Sequence, residues 1–173
     1  TLLTIEDQGF AYTSNLEEID FGNSLVSLGK ESFFAPFSLK NLTIPDSVEE
    51  IGDYAFQYGR SLNSITIGDS VTSIGKRAFS NGNVLNKLVL GDSLREIGER
   101  AFYACPELEV VSFPNSLRII GASAFEGCSK LARISIPDST TYLGENAFAN
   151  TAITEVRLPD QFRKNPPIHA FDE

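Results

Sequence analysis

A phenylalanine recurs every 23 residues along the whole chain, at Phe10, Phe33, Phe56, Phe79, Phe102, Phe125, Phe148 and Phe171. A fixed period of about 20–29 residues marks stacked supersecondary units, none of which can bury its apolar face alone. The chain is therefore expected to fold as a repeat solenoid. Function in such a scaffold belongs to exposed positions that do not repeat.

Alignment on the phenylalanine exposes the unit. One copy holds Leu62, Ile65, Ile67, Gly68, Asp69, Ser70, Val71, Ile74, Gly75, Ala78 and Phe79, and the next holds Leu85, Leu88, Leu90, Gly91, Asp92, Ser93, Leu94, Ile97, Gly98, Ala101 and Phe102. Further copies start at Leu16, Leu39, Leu108, Leu131 and Ile153. The unit reads L-x-x-I-x-I-P/G-D/N-S-V/L-x-x-I-G-x-x-A-F. Leu-x-x-Ile-x-Ile, broken by Pro or Gly, reads as one short strand per coil, expected at 39–44, 62–67, 85–90, 108–113 and 131–136. Successive coils would pair these strands in parallel, about 4.8 Å apart. The second apolar pair, Val71 and Ile74, would return the chain along the opposite wall. Gly75 would either take a positive φ or allow close packing. The eight phenylalanines would form one continuous buried stack.

Both irregular copies lie near the ends. Leu2, Ile5 and Phe10 fill second-half slots, with Glu6 where glycine is expected. The last unit loses one residue before Ile153 and regains one across 161–167. A chain without methionine that starts and stops inside a repeat reads as a segment of something longer, here one solenoid of about seven units over residues 1–173.

The motif resembles the leucine-rich repeats, specifically the treponemal or BspA-like subclass, over essentially all of residues 2–171. The general leucine-rich repeat shares L-x-x-L-x-L but continues to an asparagine ladder; here P-D-S-V-x-x-I-G-x-x-A-F follows instead. The resemblance implies a right-handed, curved coil with a parallel sheet on the concave face. It also implies secretion or surface display, and binding of host, matrix or cell-surface proteins. No signal peptide is visible in the segment, and no apolar run approaches the roughly 18–20 residues of a membrane span.

The chemistry-bearing residues have structural readings. Cys105 and Cys128 sit at equivalent positions of consecutive coils, close enough for a disulfide. They equally suit a small buried apolar slot, and the reading adopted is two buried free thiols. The column Asn23, Asp46, Asp69, Asp92, Asn115, Asp138 offers one acceptor per coil, which fits turn capping rather than the six or more oxygens that calcium requires. Asn41-Leu42-Thr43 forms a sequon on an expected strand, read as a chance occurrence. His169, the only histidine, has no nucleophile placed beside it by any motif. No catalytic residue, metal ligand or cofactor is assigned, and an enzyme is not expected.

The net charge of −9, from 23 acidic and 14 basic residues, disfavours a nucleic-acid partner. The expected function is protein binding or adhesion by a monomeric module, the alternative being a spacer in a larger surface protein. Outward columns of the concave sheet read Glu18, Asn41, Ser64, Lys87, Val110, Arg133, Glu155 and Asp20, Thr43, Thr66, Val89, Ser112, Ser135, Arg157. Lys87, Arg133 and Arg157 are the first candidates for partner contact. Phe34 and Phe37 are the second; that edge is either exposed for binding or packed over the neighbouring coil.

Overall fold

The structure, a computed structural model, describes residues 3–162 and 167–172, so Leu2 and the inserted stretch 163–166 lie outside it. It is a parallel β-solenoid of about seven turns. In chain order the strands are β1 (Leu3–Ile5), β2 (Leu25–Leu28), β3 (Asn41–Ile44) and β4 (Glu50–Ile51). Then come β5 (Ser64–Ile67), β6 (Ser73–Ile74), β7 (Lys87–Val89) and β8 (Glu96–Ile97). The last are β9 (Ile119–Ile120), β10 (Arg133–Ser135), β11 (Tyr142–Leu143) and β12 (Glu155–Arg157), before two 3-10 turns at Asp160–Phe162 and Ile168–Ala170.

Two walls are laddered rather than one, which corrects the expectation of a single strand per coil. The longer ladder is the return wall, where seven strands run β1-β2-β4-β6-β8-β9-β11. The expected sheet on the Leu-x-x-Ile-x-Ile wall, called here the first face, is split into β3-β5-β7 and β10-β12. Its register is strict: Asn41 pairs Ser64, which pairs Lys87, and Leu42, Ile65 and Leu88 point inward. β12 pairs β10 with an offset of 22, Arg133 against Glu155, so the deletion before Ile153 is absorbed without losing the ladder.

The strand expected at 108–113 does not form; only Val110 bridges to Arg133. This coil carries a phenylalanine, Phe113, in the third inward slot, as the 16–21 coil does with Phe21, and neither forms a first-face strand; the other expected strands hold Ile or Leu there. The Phe113 ring stands edge-on to Phe125 and Phe148, at centroid distances of 5.6 and 6.3 Å, and stays half-buried. We ascribe the lapse to that ring, which is too bulky for a slot shaped around aliphatic side chains in coils about 4.8 Å apart. Phe113→Ile is therefore expected to slow amide exchange at Val111 and Phe113; unchanged exchange would place the cause elsewhere.

The phenylalanine column is continuous. Successive rings lie 5.1–5.5 Å apart with planes within 15° of parallel, an offset stack suited to aromatic quadrupoles. Phe33 through Phe148 are buried, but Phe10 is 48% exposed and Phe171 half-buried, so the column is covered only along its middle. Beside it runs a third ladder: the amide of each ring residue donates to the next coil, as from Phe79 to Ala101 and from Phe102 to Ala124, both at 2.8 Å.

Gly75 answers the question its column raised. A Cβ there would stand 2.6 Å from the Asp53 amide nitrogen and from the Gly52 carbonyl carbon, so close approach is the reason for glycine. The left-handed backbone lies at two other recurrent positions occupied mostly by non-glycine residues, such as Arg77 (φ 52°) and Asn81 (φ 62°). Such conformations cost on the order of 1 kcal/mol each. Here they turn the Arg77 and Asn81 amides onto the Glu99 and Tyr103 carbonyls of the next coil, at 2.9 and 2.8 Å.

Candidate protein-binding face

The recurrent polar residues are engaged by the coil itself. Asp46 accepts the backbone amide of Asp69 at 2.8 Å, and Asp69 that of Asp92 at 3.2 Å. The acids thus cap the equivalent residue one coil onward, a refinement of the turn-capping reading. A second set does the same work unforeseen, with Asp7 accepting from the Lys30 amide and Asp53 from the Lys76 amide, both at 2.7 Å. Among the described residues no group of three or more His, Cys, Asp or Glu side chains is placed to hold a metal ion.

Cys105 and Cys128 are buried free thiols that donate to the carbonyls of Phe79 and Phe102 at 3.5 and 3.3 Å. Burial pushes the Cys105 thiol up to about 12. Burial, reinforced by the neighbouring Cys105, raises Cys128 well above its ordinary value. Thiolate is the reactive species, so thiol titration is expected to find two slow groups in native protein and two fast ones in denaturant. Thiols that appear only after reductant would contradict this. His169 is exposed and its Nδ1 lies 2.7 Å from Asp172 Oδ2, a contact that raises its pKa.

On the first face the strand pleat sends Lys87 and Val89 outward from β7 and Arg133 and Ser135 outward from β10, and all four are exposed. Val110, 67% exposed, stands between Lys87 and Arg133 in one column. Arg133 faces Glu155 at 3.9 Å, and Arg157 of β12 reaches Asp138 at 3.2 Å. These exposed pairs add little stability, about 0–1 kcal/mol each. Three hollows gather around them. One of about 450 Å³ is bounded by Val111, Ser112, Phe113, Ser135, Asp138 and Arg157. A second of about 480 Å³ lies between Val111, Arg133, Ser135, Val156 and Arg157. A third of about 470 Å³ touches Val110, Lys130 and Arg133. Lys87 borders none of these three.

Phe34 and Phe37 divide between the two readings of their edge. Phe34 is half-buried, set edge-on between Tyr12 and Tyr58 at 5.3 and 5.5 Å, and so packs over neighbouring coils. Phe37 is 40% exposed, with the Arg60 guanidinium 5.1 Å from its ring centre. Sequence columns found the outward residues; they missed the hollow at Val111 and Phe113, whose only signal was a phenylalanine in an aliphatic slot.

Two overlapping spans, residues 1–106 and 49–171, match the family model described as a BspA type leucine-rich repeat region. Among solved structures, a leucine-rich repeat protein from Eubacterium ventriosum superposes with a TM-score of 0.82 at 27% identity, covering 94% of this chain and 44% of the other. A leucine-rich cell surface protein from Faecalibacterium prausnitzii gives 0.62 at 26% identity, covering 90% and 51%. A leucine-rich repeat protein of T. pallidum gives 0.61 at 30% identity, covering 78% and 59%. This chain thus spans about half the length of these relatives. No match was found among curated proteins. With the 23-residue coil, the parallel ladders and the Ala-Phe column in place, the chain belongs to the BspA-type leucine-rich repeat family.

Proposed function

We propose that this chain is a non-catalytic protein-binding module, part of a longer protein displayed at a bacterial cell surface, which engages host or matrix proteins through its first face. The observation that carries this reading is the convergence of non-repeating exposed residues on one side. Lys87, Val110, Arg133 and Arg157 share a wall with three hollows, while Asp46 and Asp69 of the recurrent column accept backbone amides of the next coil. Catalysis needs groups preorganised around one reacting atom, and those acids are engaged elsewhere. A repeat scaffold lets outward side chains vary without disturbing the core. Surface display is supported by the F. prausnitzii relative, a cell surface protein. Phe37, exposed under Arg60, provides a second contact beside the half-buried Phe34.

The test is titration of the purified module over immobilised extracellular-matrix and cell-surface proteins, with its size followed by light scattering. Saturable binding by a monomer is the expected result. Absence of binding across the panel would favour a structural spacer.

A further inference from the structure

We infer that Arg95 and Arg118, stacked on the return wall, bind a single sulfate or phosphate ester of a saccharide whose ring lies against Tyr142. The site is on a different wall from the proposed protein-binding face and does not depend on it.

Charge carries the argument. Three times the structure sets opposite charges at equivalent positions of neighbouring coils: Glu17 with Lys40 at 3.8 Å, Lys76 with Glu99 at 3.0 Å and Glu107 with Lys130 at 2.6 Å. Arg95 and Arg118 break that pattern. They also stand one coil apart, with the Arg118 amide donating to the Arg95 carbonyl at 2.9 Å, and both are exposed. Among the described residues neither guanidinium has an ion pair, a side-chain hydrogen bond or a ring contact. Glu96 is exposed in the adjacent column but pairs with neither. Two other like-charged stacks are accounted for: Asp46 and Asp69 accept backbone amides, and Arg100, one coil after Arg77, lies 3.9 Å from Glu99. Like charges directly opposite in a ladder destabilise it, so an anion bridging Arg95 and Arg118 relieves a repulsion built into this rung. A tetrahedral oxyanion accepts from both guanidiniums at once, because each presents parallel N–H donors.

The surroundings select what carries the ester. A chain of net charge −9 repels a polyanion, and two cations make no track for one, which disfavours nucleic acid and heavily sulfated chains. β8 is paired with β6 and β9, and β9 with β8 and β11, so a peptide finds no free strand edge beside the arginines. A saccharide needs none. Tyr142, 54% exposed, stands one coil beyond Arg118, in the column of Glu96 and Ile119. At about 4.8 Å per coil, the three side chains span roughly one sugar with its ester. An exposed aromatic ring packs against the C–H face of a pyranose while the ester reaches the arginines.

The experiment titrates the ¹⁵N-labelled full chain with lactose bearing one sulfate ester, lactose bearing one phosphate ester, plain lactose, sialyllactose and a sulfotyrosine peptide. Amide shifts at Arg118, Ile119 and Tyr142 report binding. Saturable binding of an ester-bearing lactose is expected, and the tighter of the two identifies the ester. Arg95→Gln and Arg118→Gln should each weaken it roughly tenfold or more, and Tyr142→Ala should weaken it too. Arg118→Glu restores opposite charges between the coils, so it should melt no lower than the wild type yet lose binding. Plain lactose binding as tightly, or indifference to either arginine variant, would overturn the site. Sialyllactose, whose charge is a carboxylate, binding as tightly would overturn the tetrahedral ester. A tighter sulfotyrosine peptide, or indifference to Tyr142→Ala, would overturn the saccharide. Neutralising Lys87, Arg133 and Arg157 should leave the binding intact, and a loss there would move the anion to the first face. Matrix proteins that fail to bind while the ester-bearing lactose still does would overturn the first-face reading alone.

Discussion

Phe79→Ala is expected to destabilise the solenoid by about 3–5 kcal/mol, the usual range for emptying a buried aromatic site. Phe79 is 2% exposed and stacks on Phe56 at 5.5 Å and on Phe102 at 5.4 Å, so its loss opens a void bordered by two coils. No neighbouring side chain can swing in, because each slot in the column already holds its own ring. Phe37→Ala is the matched control. That ring is 40% exposed and touched by Arg60, a contact worth about 0.5–1 kcal/mol at an exposed site. Urea melts of the two variants should separate widely. Comparable losses would place Phe37 in the core.

Gly75→Ala should be nearly as damaging, for a different reason. The new methyl would meet backbone atoms of the preceding coil at 2.6 Å, and no rotamer change relieves a clash with main chain. The coils must part, which also strains the bond from the Gly75 amide to the Ile51 carbonyl at 2.8 Å. Overpacking of this kind costs about 3 kcal/mol. Gly22→Ala separates the effect from conformational preference. Gly22 has a φ of +60° but nothing within 4 Å of its added Cβ, so only backbone strain of about 1–2 kcal/mol applies. Equal melting temperatures for the two variants would mean that coil spacing is not what the recurrent glycine protects.

What the sequence disclosed and what it hid follow from the range of each interaction. The inward columns, the ring stack and the acid caps were legible because each is a one-coil relationship repeated many times. The return-wall ladder was not. Its pairs such as Glu50–Ile51 and Ser73–Ile74 are two residues long, too short for alternation to register. The left-handed residues were hidden because Arg77 and Asn81 carry no glycine cue. At the candidate site, the outward positions of Arg133 and Arg157 could be read from the alternation of β10 and β12. Their partners could not, since Glu155 faces Arg133 only because the last unit is one residue short. Asp138 reaches Arg157 across 19 residues, off the repeat period. The lapse at 108–113 was concealed most completely, because its apolar pattern matches the other coils and only the size of Phe113 differs.

The most direct test of the division between coil-building and partner-binding residues is one triple variant, Lys87→Ala, Arg133→Ala and Arg157→Ala, measured for both melting temperature and binding to a matrix or cell-surface protein that saturates the wild type. All three side chains are exposed and none packs in the core. The expected result is a melting temperature within a few degrees of wild type, since each lost exposed ion pair is worth about 0–1 kcal/mol, together with a binding loss of roughly tenfold or more. Binding that survives the triple variant unchanged would contradict it and move the site off the first face.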